Sequence, residues 1–446
     1  MTRHPLSVVG AWLTTLSAFT FVLVLLLDMF GLHHNPYVGL MFFVILPMFF
    51  VLGLILIPLG IVLDRRRRAK GLNPYVWPKI DLNLPKHQRG FAVIGALTIV
   101  NLLIVSAAAY RGVEYMDSPQ FCGQVCHTVM EPEFVAHADG PHSRVTCVQC
   151  HVGAGVGSYL YYKLNGVRQL VHLVRNTYPR PVPSPVFNLR PARNTCEQCH
   201  WPAKFHGDKI HVVSSFGDDE KNTPSPTTLV LRVGGGRPQY GLGAGIHWHT
   251  NTETEVDYIA TDDKRQVIPF VRVKEGNGTV REYRAPDVTD AQLAGHEERR
   301  MDCVDCHNRP AHSFSASPER AVDTAIAAGA ISATLPFARR EAVAALKESH
   351  PDRATAERAI SDRLRAFYAK QPDAASRTQD VNRLVAAVQF LYTRNVFPVM
   401  NVTWGTHPNN VGHTDFPGCF RCHDDQHKSA DGKVIRQDCE LCHEMK

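Results

Sequence analysis

Three features of the 446-residue sequence predict its fold class. Apolar runs crowd the first quarter, six Cys–Cys–His clusters follow, and a strand-like interval divides the clusters. Together they predict a mainly α-helical chain with three N-terminal transmembrane helices, a small β insertion and irregular loops packed around prosthetic groups. The expected segments are a membrane domain over 1–110, a segment with three clusters over 111–211, a β-rich insertion over 212–300, and a helical segment with three more clusters over 301–446.

The membrane domain rests on the runs Leu6 to Leu27, Val38 to Leu63 and Phe91 to Ala109. Each is close to the roughly 20 residues that cross a bilayer as a helix. Pro47 and Pro58 sit inside the second and predict kinks. Between the second and third runs lie Arg65, Arg66, Arg67, Arg68, Lys70, Lys79, Lys86 and Arg89, against Asp64 and Asp81. That excess assigns the 64–90 loop to the cytoplasm, with the N-terminus on the same side. The loop with His33 and His34 then faces out, and everything from about Tyr110 onward lies outside the cytoplasmic membrane. No A-x-A-like cleavage site follows the first run, so it reads as an uncleaved anchor. The net charge of +6 is mild and asks for no nucleic acid.

The clusters use all twelve cysteines. Five read C-x-x-C-H: Cys147/Cys150/His151, Cys196/Cys199/His200, Cys303/Cys306/His307, Cys419/Cys422/His423 and Cys439/Cys442/His443. The first, Cys122/Cys126/His127, is one residue wider. Random placement of these residue types would give about 0.02 C-x-x-C-H motifs. Zinc also takes paired cysteines, but it gives no reason for a His after every second one. Haem does: two thiols bond to its vinyl groups and the adjacent His binds the iron. Six covalent haems c are expected, and an extracytoplasmic compartment agrees with that chemistry. The fold class is thus a mainly α multihaem cytochrome c.

Between His200 and Cys303, Thr228–Val233, Glu255–Thr261, Gln266–Lys274 and Val280–Arg284 alternate as strands do. Glycine and Asp/Asn turns separate them. Glu319–Ala328, Pro336–Glu348, Thr355–Lys370 and Gln379–Arg394 have helical spacing; the last sets Val381, Leu384, Val385, Val388 and Leu391 on one side. The proline-rich Tyr178–Pro191 reads as a stiff connector.

A low-spin haem needs a second axial ligand. Thirteen extramembrane histidines outside the motifs compete for at most six places. The favoured set is His142, His172, His206, His312, His413 and His427. His350 reads as solvated surface. His247 and His249 flank Trp248, and either one of them ligates or both pack. At the wide motif, Met130 either ligates the iron or packs on the porphyrin.

The wide first motif with a nearby Met, the run His142–His151 (HSRVTCVQCH) and the Lys-bearing helix after it resemble the NapC/NirT/NrfH family of membrane-bound multihaem quinol dehydrogenases. The resemblance covers the third apolar run through about residue 211. It implies a haem near the membrane that takes electrons from the quinol pool in the lipid bilayer and relays them to a periplasmic acceptor, a soluble cytochrome or reductase. It also places Lys163 beside the quinol, with Arg168 as the alternative cation. The family's acidic residue after that Lys has no match here, and Asp139 is the substitute. Typical members have one membrane helix, a C-x-x-C-H-x-M first site and four haems, so this chain is a larger variant.

Two other functions compete. A terminal reductase of an oxyanion such as nitrite needs a five-coordinate haem, which abundant spare histidines disfavour. A passive electron store would lack a quinol site. The sequence leaves self-association open.

Overall fold

The computed structural model describes residues 4–29, 46–73, 81, 83–125, 127–153, 155–186, 189–205, 207–235, 245–250 and 253–446. The chain forms two compact units. One is Met1–Met116 with Val152–Val171; the other is Asp117–His151 with His172–Lys446. The β insertion and the helical segment expected to be separate therefore share one unit.

In the first unit, α1 (Pro5–Met29) packs on α2 (Leu46–Ala69). Small residues bring their backbones together. A Cβ on Gly10 would meet Gly53 O at 2.7 Å, and one on Gly60 would collide with Ser7. The Ser7 hydroxyl donates to Ile57 O at 2.9 Å, so the close approach also satisfies a polar group. Pro47 falls in the first turn of α2, where its missing N–H has no helical partner anyway. The helix continues through Pro58. Arg66, Arg67 and Arg68 occupy its last turn, where cations complement the helix dipole. The third helix, α3 (Pro85–Met116), runs further than its apolar stretch at both ends. Of the three spans the sequence predicts, one described helix, Met48–Ala69, is long and apolar enough to cross a bilayer. Pro5–Thr20 is a shorter apolar stretch. His33, His34 and residues 38–45 lie outside the described residues.

Next along the chain are α4 (His127–Ala138) and α5 (Cys147–His151) of the second unit, then α6 (Val156–Val174), most of which belongs to the first. Short pieces α7 (Asp290–Leu293) and α8 (Cys303–Cys306) follow the insertion. Then come the scaffold helices α9 (Pro318–Ala327), α10 (Ala338–Leu346), α11 (Arg353–Tyr368) and α12 (Thr378–Asn395). Ser317 and Asp352 cap α9 and α11 by accepting backbone N–H bonds. Their apolar stripes meet in one core containing Val322, Leu346, Ile360, Leu364, Leu384, Val388 and Tyr392. Each such side chain stabilises the fold by about 1.5–3 kcal/mol on full burial. Asn222 ties the insertion to this core. Its amide donates to Ala333 O and Leu335 O, and its oxygen accepts from Arg339 N.

The insertion holds β1 (Asp208–Val213), β2 (Thr227–Arg232), β3 (Glu255–Ile259), β4 (Phe270–Lys274), β5 (Val280–Arg284) and β6 (Glu298–Arg300). The chain end adds β7 (Lys428–Ser429) and β8 (His443–Met445). Two antiparallel sheets result, ordered β1-β2-β8 and β6-β3-β4-β5-β7. Pairing Tyr258 with Val271 and Val271 with Tyr283 sets the register of the larger one. Its inner face buries Val256, Tyr258, Ile268 and Val271. Both sheets are completed by C-terminal residues, so the insertion is not an independent module.

Candidate haem-binding sites

Each described C-x-x-C-H motif lies on a single helical turn. Motif two is α5 and motif four is α8. Motifs three, five and six are 3-10 turns at Cys196–Gln198, Gly418–Arg421 and Cys439–Leu441. One turn brings two cysteines three apart onto one side with the His beside them. Backbone bonds from His200 N to Cys196 O (2.8 Å), His307 N to Cys303 O (2.8 Å) and His423 N to Cys419 O (3.1 Å) close three of these turns. The wide first motif has its own solution. Cys122 sits on a π-helical turn, Phe121–Val125, whose larger loop takes up the extra residue. Gly123 is buried there, and a Cβ on it would collide with the Phe134 ring.

No disulfide joins the described cysteines. In the polypeptide, before any bond to haem, burial pushes the Cys196 and Cys306 thiols up to about 11 and the Cys422 thiol up to about 12. Cys199 and Cys439 are exposed, whereas the other described cysteines are half-buried. The chain around Cys199 runs in short 3-10 turns, Cys196–Gln198 and Pro202–Lys204. His200 and Trp201 beside Cys199 are exposed as well. The Cys199 N–H donates to Cys196 O at 3.1 Å, so the two cysteines of motif three share their turn.

In motif four, Asp305 is a buried organiser. Its Oδ1 accepts from Tyr258 Oη (2.8 Å), Arg299 Nε (2.9 Å) and Arg265 Nη1 (3.2 Å), while Oδ2 accepts from Asp302 N (2.8 Å). Arg421 and Asn410 both donate to the Asp305 carbonyl at 2.9 Å, which fastens motif five to motif four.

Five motif histidines face a second imidazole at nearly one spacing. His151 faces His312 at 6.2 Å between ring centroids, and His200 faces His142 at 6.1 Å. His307 faces His247 at 6.3 Å, His423 faces His249 at 5.8 Å, and His443 faces His413 at 6.0 Å. Two imidazoles on opposite sides of one metal, each with its nitrogen about 2 Å away, would have centroids about 6 Å apart. The residues therefore fit a haem iron between each pair. Anchoring of the second rings agrees. The Nδ1–H of His142 donates to Pro310 O (3.0 Å) and that of His312 to Glu133 O (2.9 Å). The same nitrogen of His247 donates to Val233 O (3.0 Å) and that of His249 to Ile246 O (2.9 Å). This tautomer leaves Nε2 as a lone-pair base. Burial also pushes His151, His249, His307 and His312 below the ordinary histidine range, so they stay neutral. Arg309 braces Glu133 with two bonds, 2.9 and 3.1 Å. Sequence reading had no way to find that support.

The remaining expected site residues fall elsewhere. His427 is a correction. Its Nδ1 binds Asp424 (3.0 Å) and its Nε2 binds Ile268 O (2.7 Å), so neither nitrogen faces a metal. His172 binds Thr177 Oγ1 through Nδ1 on an exposed part of α6. His137 stands 6.0 Å from His312, but its Nε2 is taken by Val145 O. His350 is not solvated surface: its ring packs edge-on against Tyr392 at 5.8 Å, with 9% of its side chain exposed. His206 and Cys126 lie outside the described residues, as do the side chains of His127 and Lys163. Met130 is half-buried on α4. Arg168 is exposed on α6. Asp139 faces Arg394 at 4.0 Å, a partner that sequence spacing did not suggest.

Residues 85–181 match the model of the N-terminal region of the NapC/NirT cytochrome c family. The cytochrome c-type protein ImcH of Geobacter sulfurreducens is 41% identical to the chain over 448 residues. The match covers 99% of this chain and 88% of that protein. No solved structure matches. With haem-attachment motifs from Cys122 to His443 and a relative aligned across nearly its whole length, this chain belongs to the NapC/NirT family of membrane-anchored c-type cytochromes, electron-transfer proteins with covalently bound haem.

Proposed function

We propose that the chain oxidises quinol at the cytoplasmic membrane and relays the electrons through six covalent haems c to a periplasmic acceptor, a soluble cytochrome or reductase. The observation that carries this reading is the set of five motif histidines, each facing a second imidazole at 5.8–6.3 Å. Bound haem supplies an iron that gains and loses one electron at a time.

The protein's part is to hold ligands still. His312, His142 and His413 serve as second ligands of the second, third and sixth haems. Each is placed by packing or by a hydrogen bond on Nδ1, so a change of charge at the metal moves little around it. At five of the six motifs two imidazoles would hold the iron and leave no room for an oxyanion, which supports a relay over a nitrite-type reductase. Thiol neighbours follow chain order: Cys147 lies against Cys122, Cys196 is acted on by Cys150 and Cys303, Cys306 by Cys419, and Cys442 by Cys419. Attachment points in sequence support a linear path of short steps.

A quinol gives up two electrons and two protons. Lys163 on α6 is assigned to its headgroup, with Arg168 as the alternative cation. An ammonium there donates a hydrogen bond to the quinol oxygen and stabilises the anion left when a proton departs. The basic 64–90 stretch faces the cytoplasm and the haem-bearing unit faces the periplasm.

Membrane vesicles titrated with quinol, with a haem spectrum after each addition, test the reading. Stepwise haem reduction is expected. Reduction by dithionite but not by any quinol would overturn quinol oxidation. A pyridine haemochrome assay giving three or fewer haems per chain would overturn the relay itself.

A further inference from the structure

The 3-10 turn Ile246–Thr250 lies in the β insertion, well beyond the residues matched by the family model. Its sequence is Ile-His-Trp-His-Thr. We propose that this one turn ligates two different haems: His247 completes the fourth, at Cys303, Cys306 and His307, and His249 completes the fifth, at Cys419, Cys422 and His423. The proposal rests on the reading that both motifs carry covalent haem.

Geometry separates the two rings. Residues two apart on a 3-10 helix point about 120° from each other around its axis, so they cannot serve one metal. His247 stands 6.3 Å from His307 and His249 stands 5.8 Å from His423. Both rings are bonded through Nδ1 to carbonyls, which leaves Nε2 as the lone-pair nitrogen. The two motifs they face are already neighbours, since Arg421 and Asn410 of the fifth region bind the Asp305 carbonyl of the fourth.

The turn is built for this role. Trp248 packs into the sheet core with Val256, Tyr258 and Ile268, which locks the turn between its two histidines. Phe205 covers His247 at 4.7 Å. The His247 N–H donates to Val233 O at 3.1 Å, and the Trp248 N–H donates to Gly245 O at 2.9 Å. Gly235 (φ +88°) and Gly245 (φ +124°) let the turn press on the end of β2. A Cβ at Gly235 would run into the His247 backbone, and one at Gly245 would come within 2.7 Å of Arg232 O. Nothing in ordinary packing asks for two Nδ1-anchored imidazoles aimed at two separate motifs.

The ring angles give a spectroscopic signature. His247 and His307 are nearly parallel, at 8°, while His249 and His423 are nearly perpendicular, at 84°. Parallel imidazoles lift the degeneracy of the iron π orbitals and produce a rhombic low-spin signal. Perpendicular ones leave it nearly intact and produce a highly anisotropic signal. The experiment is electron paramagnetic resonance on the full-length protein, with haem counted in each sample. In His247→Ala, one rhombic low-spin equivalent should be lost and one high-spin equivalent gained, with added imidazole restoring low spin. In His249→Ala, the lost equivalent should be the anisotropic one. His247→Met keeps a ligand in place if the alanine variant assembles poorly, and should bring one far-red thioether-to-iron band. Full haem content with unchanged low-spin signals in either alanine variant, or no such band in His247→Met, would overturn the proposal. A wild-type protein whose Cys303 or Cys419 peptide lacks haem would instead overturn the reading beneath it.

Discussion

His312 and His427 show how a ring nitrogen decides a role. His312 has Nδ1 on Glu133 O and its ring 6.2 Å from that of His151, while His427 spends both nitrogens on protein oxygens. His312→Ala should therefore convert one low-spin haem to high spin. His427→Gln should leave every low-spin band in place and cost stability by about 1 kcal/mol through the lost hydrogen bonds. Optical spectra of the two variants make the comparison, and a high-spin band in His427→Gln would contradict it. Asp305 poses a second residue-scale test. Its side chain is 1% exposed and faces both Arg299 and Arg265. Removing one partner of a buried ion pair costs about 3–5 kcal/mol, because the remaining charges lose their counterion. Asp305→Asn should lower the urea midpoint accordingly, followed by the absorbance of the haems. A midpoint equal to wild type would show that the arginines find other partners.

At the scale of elements, α9 to α12 are the part most legible in sequence. Helical spacing placed Val381, Leu384, Val385 and Val388 on one face of α12, and all four are buried. The reason is local: a 3.6-residue period selects one face whatever packs against it. Leu384→Ala should destabilise the protein by about 2–5 kcal/mol, since this side chain is fully enclosed. Denaturant unfolding by circular dichroism checks it, with exposed Val399→Ala as a near-silent control. Strands were read less fully. The residues of β2 through β5 alternate visibly, but β7 and β8 have two and three residues and exist only because β5 and β2 offer them open edges. So short a segment carries no period to read.

Across the whole molecule, the chain stitches itself together through its haem sites. His312 comes from beyond motif four to face motif two, His142 from before motif two to face motif three, and His413 from before motif five to face motif six. Apo-protein should therefore lack a stable fold in the unit Asp117–His151 with His172–Lys446, a linkage of binding to folding. The proposed activity makes its own demand at this scale. Lys163→Gln, with haem content verified, should slow quinol-driven haem reduction in membranes by roughly tenfold or more, the loss of one charge-assisted hydrogen bond. Reduction by dithionite should be unaffected. Equal rates with quinol would assign Lys163 to lipid headgroups instead.

The sequence by itself determined the attachment chemistry, the apolar N-terminal runs and the amphipathic helices, because each is written in residues a few positions apart. Cys, Cys and His on one turn need no partner elsewhere to be recognised. How deeply each turn is packed is not written there, as exposed Cys199 and half-buried Cys196 of one motif show. Which histidines come to face the motif histidines is another matter again. Thirteen histidines were available, and composition could not separate His142 and His312 from His427, nor reveal that His247 and His249 both face motif histidines. Only the tertiary structure decided this, because orientation of an imidazole depends on which distant carbonyl takes its Nδ1 proton. Those carbonyls, at Pro310, Glu133 and Val233, are brought into place by the packing of the whole unit.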